Sequence, residues 1–244
     1  TEDDKGLQRW LRLIHAANPS LRDLNRFVQA RWPGRTLAEL APAEAAQCLD
    51  RVLATLPAPG GEAIAADMRW LEGSGDRDLL PLTDPRYPWL LREIPDPPLA
   101  LHVTGDPACL NQPCLSIVGS RNPTPQGRET ATYFGRRLAE AGFTVVSGLA
   151  RGIDGCAHRG ALETGRTAAV CAHGLDTVYP DAHRSLAAAI AKESVLVSEF
   201  PVGTRPLPHR FPQRNRIISG LSLGTLVVEA GLKSGSLITA NLAA

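Results

Sequence analysis

Apolar residues recur at two different periods along the chain, and the change falls near residue 75. Before it the spacing is helical. Leu7, Trp10, Leu11 and Ile14 share one helix face, and Leu21, Leu24 and Val28 share another, after Pro19 and Ser20 as a start signal. Cys48, Leu49, Val52, Leu53 and Leu56 give a third face, stopped by Pro57 and Pro59. Ile64, Met68 and Leu71 give a fourth, before Gly73-Ser-Gly75. Thr36-Leu-Ala-Glu39 has capping-box spacing. Residues 1–75 therefore read as a small all-helical domain, SAM-like or helix-hairpin-helix-like, that docks or supports and carries no chemistry of its own.

Beyond residue 113 short apolar runs alternate with helical stretches. Strands are expected at Leu115–Val118, Phe143–Ser147, Thr167–Ala172, Val195–Glu199 and Thr225–Glu229. Helices are expected from Gln126 to Ala141, from the Gly148–Asp154 loop to Gly165, over Ala182–Lys192 and Gln213–Leu221, and from Ser236 onward. That alternation predicts an α/β fold with a mostly parallel, doubly wound sheet covered on both faces over residues 76–244. Ten of the twenty prolines fall between Pro81 and Pro125, so residues 76–113 resist long regular elements. Tyr87, Trp89, Leu90, Leu91 and Ile94 make this stretch an ordered layer against the sheet, with Ala100–Thr104 as an edge strand.

Composition changes this picture little. With 43% hydrophobic and 21% charged residues the chain is an ordinary globular one. No apolar run approaches the ~18 residues of a membrane span. Residues 1–14 lack a signal-peptide pattern, and the start at Thr1 reads as trimmed. Five cysteines, an odd number without a disulfide framework, fit a reducing cytoplasm. The net charge of +1 is uninformative, but from residue 200 onward five basic side chains stand against one acid, Glu229.

In a doubly wound sheet, ligands bind off the carboxyl ends of the strands. Those positions hold Gly119-Ser120-Arg121, Gly148–Arg151, His173-Gly174, Phe200-Pro201 and Ala230–Ser236. A glycine turn leading from strand to helix offers free amides and a helix dipole to an anion, and Arg121 adds a guanidinium. A nicotinamide site fails, because Gly119 is followed by Ser-Arg-Asn-Pro and the second strand ends in Ser147 instead of an acid. Cys156-Ala-His158 and Cys171-Ala-His173 resemble metal-ligand pairs, but residues i and i+2 of a helix do not face each other, so no metal is expected. Asp154 reads as a helix cap and His158 as a residue lining the cleft.

The strongest constellation is Phe211-Pro-Gln-Arg-Asn-Arg216. Arg214 and Arg216 flank Asn215 at a helix start, where they can neutralise phosphates while Phe211 stacks on an unpaired base. The alternative is a structural arginine pair bonding carbonyls. Lys233-Ser234-Gly235-Ser236 is a further anion-friendly turn.

Ile117–Arg121, Ser147–Asp154, Ala157-His158, Gly174–Asp176, Tyr179-Pro180, Ser198–Phe200, Phe211–Ile218, Glu229-Ala230 and Ser234–Thr239, in that order, resemble the DNA-processing protein A family (DprA, also called Smf). The resemblance implies an extended Rossmann fold that binds single-stranded DNA without sequence preference. It also implies protection of incoming strands in natural transformation, loading of the RecA recombinase, a homodimer, no membrane, no cofactor and no enzymatic activity. It places the DNA surface at Gly119, Ser120, Arg121, Gly148, Ala150, Phe211, Arg214, Asn215, Arg216, Lys233, Ser234, Gly235 and Ser236. His173 and His183 stand where the family usually has glycine and asparagine. The resemblance further implies a chain continuing past Ala244, with more strand and a winged-helix-like domain. A second reading, a nucleotide-processing enzyme that cleaves an N-glycosidic bond, draws on Gly224-Thr225 and Glu229. Its spacing is one residue too long, so Glu229 is expected to organise a loop or pair with an arginine.

Overall fold

The computed structural model describes residues 2–16, 21–58 and 60–231. Helices α1 (Glu2–His15), α2 (Leu21–Arg31), α3 (Pro42–Thr55) and α4 (Gly61–Glu72) form the N-terminal region. Trp10, Leu11, Leu24, Val28, Leu49 and Val52 are buried on the faces that their spacing predicts. The Thr36 amide donates to Glu39 Oε2 at 2.6 Å, half of the expected capping box. In α4 the buried residues are Asp67 and Trp70, while Ile64, Met68 and Leu71 are only partly covered.

The sheet has the order β1-β2-β6-β5-β4-β3-β7. Its strands are β1 (Arg77–Pro81), β2 (Ala100–Gly105), β3 (Cys114–Gly119), β4 (Thr144–Ser147), β5 (Thr167–Val170), β6 (Val195–Ser198) and β7 (Thr225–Val228). From β6 to β7 the neighbours are parallel, and β2 and β1 add antiparallel strands beside β6. The proline-rich stretch thus builds part of the sheet. Ala100–Thr104 is an inner strand, His102 pairing with Ser198 on one side and Leu79 on the other, and the edge belongs to β1.

Strand alternation sends successive side chains to opposite faces. Val118, Val146, Val170 and Val197 join the core beneath α5 (Trp89–Arg92), α9 (Arg210–Gly220) and the N-terminal helices. Ile117, Val145, Ala169 and Leu196 face α6 (Pro125–Glu140), α7 (Ile153–Leu162) and α8 (Arg184–Glu193). On that second face α6 and α7 approach closely. A Cβ on Gly135 would lie 2.3 Å from the Ala157 carbonyl oxygen, and one on Gly160 only 2.1 Å from that of Thr132.

On the first face one core runs from Trp10 and Leu49 through Leu80 and Leu101 to Ile217 and Leu221. A buried polar cluster joins the same parts. Asp67 accepts hydrogen bonds from His102 Nε2 at 2.9 Å and the Val202 amide at 3.0 Å, and its other oxygen meets His15 Nε2. Burial alone would raise the Asp67 pKa, but the bonds from His102 and His15 hold it well below the carboxylate range. The last helix, expected from Ser236, lies outside the described residues.

Candidate nucleic-acid interface

The chain winds outward from β3 through β4 and β5 to β6, then returns on the far side of β3 as β7. The strand order reverses at β3, and a crevice lies at the carboxyl edge there. α9 begins over that crevice. It starts at Arg210, three residues before the expected Gln213, and Pro212 fits its first turn because no intrahelical bond is needed there.

The loop after β3 is held by β7. The Ser120 amide donates to the Glu229 carbonyl oxygen at 2.8 Å, so it is not the free anion-binding group expected from the sequence. The Glu229 carboxylate accepts from the Thr124 amide at 2.9 and 3.0 Å and from its hydroxyl at 2.7 Å. Thr124 in turn caps α6 by accepting from the Gly127 amide at 3.1 Å. Glu229 is therefore the loop organiser that the sequence reading anticipated. Gly119 is required by packing: a Cβ there would lie 1.9 Å from the Val228 carbonyl oxygen and 2.7 Å from Ile153.

The loop after β4 is held by buried charge. Arg214 is only 4% exposed. Its Nη1 donates to the Gly148 carbonyl at 2.8 Å and also to that of Val170. Gly148 is what admits it, since a Cβ at this position would sit 2.5–2.7 Å from the guanidinium. Asp154, expected to cap α7, instead accepts from the Gly148 amide at 3.1 Å and the Ala150 amide at 3.3 Å. Between those amides Leu149 adopts a left-handed conformation with φ 57°, its side chain buried. Such a residue costs about 1–3 kcal/mol and persists only where its surroundings fix it. His183 adds to the fixing, its Nδ1 donating to the Leu149 carbonyl at 2.9 Å. Burial raises the Asp154 pKa, and Arg214 opposes that shift. Burial likewise lowers the Arg214 pKa against the pull of Asp154.

The remaining expectations divide. Arg216 does not line the crevice. It holds Glu199 through two bonds of 3.0 and 2.6 Å and reaches Asp96 at 3.3 Å, a strut between α9 and two loops. His158 is not in the cleft either, being fully buried behind β5. The Thr167 hydroxyl donates to the Val145 carbonyl, so His158 Nδ1 donates to the Thr167 oxygen at 2.7 Å. Burial pushes the His158 pKa down to about 3. Among the described residues no group of three or more His, Cys, Asp or Glu is placed to hold a metal ion. Lys233, Ser234, Gly235 and Ser236 lie outside the described residues.

What remains is a groove of about 380 Å³ whose lining includes Gly119, Ser120, Arg121, Ala150, Phe211, Arg214 and Asn215. At its lip the exposed Arg121 guanidinium lies over the Phe211 ring, 5.2 Å from the centroid. The Tyr179 ring sits 5.7 Å from that of Phe211. A smaller recess of about 230 Å³ shares Arg121, Ala150 and Phe211 with the groove and adds Gly148, Arg151, Tyr179 and Pro180. Arg151 belongs to the strand-end loop Gly148–Arg151 that the sequence marks as a ligand position, whereas Tyr179 has no assigned role there beyond its place in the ordered motifs that carry the resemblance.

Fold and groove together define a doubly wound α/β protein with a cationic, aromatic lip at its strand-order reversal. The chain belongs to the DNA recombination-mediator protein A family, whose model matches residues 78–244. It is 46% identical over 184 residues to the Smf protein of Escherichia coli K12, covering 75% of this chain and 49% of that one. It is 44% identical over 163 residues to the DNA processing protein DprA of Bacillus subtilis, covering 66% and 55%. The chain thus spans about half the length of the curated relatives it matches. The crystal structure of Streptococcus pneumoniae DprA superposes with TM-score 0.75 at 30% identity, over 96% of this chain and 81% of that one. Helicobacter pylori DNA processing protein A, whose structure concerns its single-stranded DNA binding mode, superposes with TM-score 0.61 at 34% identity, over 64% and 72%.

Proposed function

We propose that this chain binds single-stranded DNA without sequence preference, laying the strand along the groove where β3, β4 and α9 meet. The observation that carries the reading is Arg121 stacked on Phe211 at the groove lip. The pair offers a phosphate a guanidinium that is paired with no carboxylate among the described residues, and offers a base an aromatic face. Arg214 contributes positive charge to the groove floor from a buried position and fixes the loop after β4. Lys233 and Ser234–Ser236, which follow β7 in the sequence, serve as further anion contacts. In the whole protein this binding serves to protect incoming strands in natural transformation and to hand them to a RecA-type recombinase, in the cytoplasm and as a homodimer. No helix among the described residues is long and apolar enough to cross a membrane.

The chain acts by binding and not by catalysis. Asp154, which lines the groove, and Glu229, which holds the loop after β3, are engaged by loop amides and a hydroxyl. Glu229 in particular bonds Thr124, which disfavours its use in N-glycosidic cleavage. The test is fluorescence anisotropy of labelled oligo-dT and of a duplex over a range of salt. Single strands bind more tightly, and Arg121→Ala lowers affinity and makes the log K against log salt slope shallower by about 0.7. An Arg121→Ala, Phe211→Ala variant that folds and binds like the parent overturns the proposal. Release of free base from a nucleoside monophosphate would restore the enzymatic reading.

A further inference from the structure

The recess beside Phe211 carries a chemistry that the groove does not absorb. Tyr179 is 47% exposed on the loop between β5 and α8, although its ring is large and mostly apolar. Its plane is tilted 51° from that of Phe211, so the two rings form an open wedge and not a closed stack. Arg121, Ala150 and Phe211 line both cavities and form the wall that the two share. Arg151 reaches the same recess, exposed and without a hydrogen-bond or ion-pair partner among the described residues. The amides of Gly148 and Ala150 are already taken by Asp154, so Arg151 and Arg121 are what this recess offers an anion.

We propose that Tyr179 and Arg151 form a second nucleotide subsite, Tyr179 stacking on the base next to the one held by Phe211 and Arg151 meeting the phosphate between or beyond them. The inference rests on the single-strand reading above. Two cavities that share a wall match two neighbouring units of a polymer, and a mononucleotide fills only one of them. A stacking platform is indifferent to base identity because every base has a π-face, so the subsite adds affinity without sequence preference.

The experiment compares wild type, Tyr179→Leu, Tyr179→Phe, Arg151→Gln and Arg121→Ala. Each is titrated with short oligo-dT and with an abasic deoxyribose-phosphate oligomer of equal length, after thermal melts confirm folding. Leucine keeps apolar packing against Phe211 but removes the aromatic face. Tyr179→Leu is expected to weaken oligo-dT about tenfold and to leave the abasic oligomer unchanged, and Tyr179→Phe to restore binding. Arg151→Gln is expected to weaken both probes alike and to flatten the salt slope by about 0.7. If wild type binds and Arg121→Ala loses affinity while Tyr179→Leu and Arg151→Gln match wild type, the second subsite is wrong and the groove reading stands. If wild type binds neither probe, both fail.

Discussion

The floor and the lip of the groove use the same residue types in opposite ways. On the floor Arg214 is buried, bonded to two carbonyls and set beside Asp154, itself engaged by two amides. At the lip Arg121 and Arg151 are exposed, and Arg121 lies against an aromatic ring. A guanidinium taken out of water with its partners fixed shapes a backbone, whereas one left in solvent is free to exchange water for phosphate. The floor therefore governs whether the groove exists, and the lip governs what it holds.

That contrast is broken most severely at Arg214. Arg214→Ala removes the positive charge that opposes the burial of Asp154 and leaves the Gly148 and Val170 carbonyls without their charged donor, a loss of about 3 kcal/mol. Thermal melts should show a large fall in Tm. Gly148→Ala should act in the same direction, because its methyl group needs the space the guanidinium fills. A Gly148→Ala protein as stable as the parent would mean that Arg214 is not a structural strut. Arg216→Ala should rank next at about 2 kcal/mol, since Glu199 is mostly buried while its other carboxylate partner, Asp96, is exposed.

Acid should come next. The His158 pKa is pushed down to about 3 in the fold, by burial first and then by the nearby His183, Arg214 and Arg159, against about 6.5 when unfolded. The unfolded chain therefore binds the extra proton between those values, and stability falls as pH drops below about 6.5. His173, lowered by burial, adds in the same direction. Denaturant midpoints measured from pH 7 to pH 4.5 should show this slope, and His158→Gln should reduce it by about one proton. The smallest effect on stability belongs to the lip. Arg121→Ala should shift stability by no more than about 0.5 kcal/mol, as surface changes do, while lowering affinity for oligo-dT.

The parallel strands and their helices were legible because each apolar run is bounded by glycine, proline or a cap. β1 was not: Arg77-Asp-Leu-Leu-Pro81 is short, begins with two charges and ends in proline, and only its pairing with β2 makes it a strand. The two α9 arginines show where site reading stops. Arg214 and Arg216 look alike in sequence, but their partners Val170, Gly148, Glu199 and Asp96 come from elsewhere in the chain. Arg214 fits the alternative of an arginine bonding carbonyls, and Arg216 takes up carboxylates. Arg121 was legible because its role depends on local position at the end of β3. Tyr179 was visible only as part of a motif, and its meaning came from Phe211 lying beside it.

Asp67 ties α4 to α1, to β2 and to Val202, eight residues before α9 starts. The helical region is thus a buttress for the loop that delivers Phe211, and cutting the chain at residue 75 would unmoor that loop at its root. Amide exchange over residues 199–209 should quicken in such a fragment even where the parallel strands stay protected. Anyone trimming this protein to its sheet would be measuring a groove with one bank loosened.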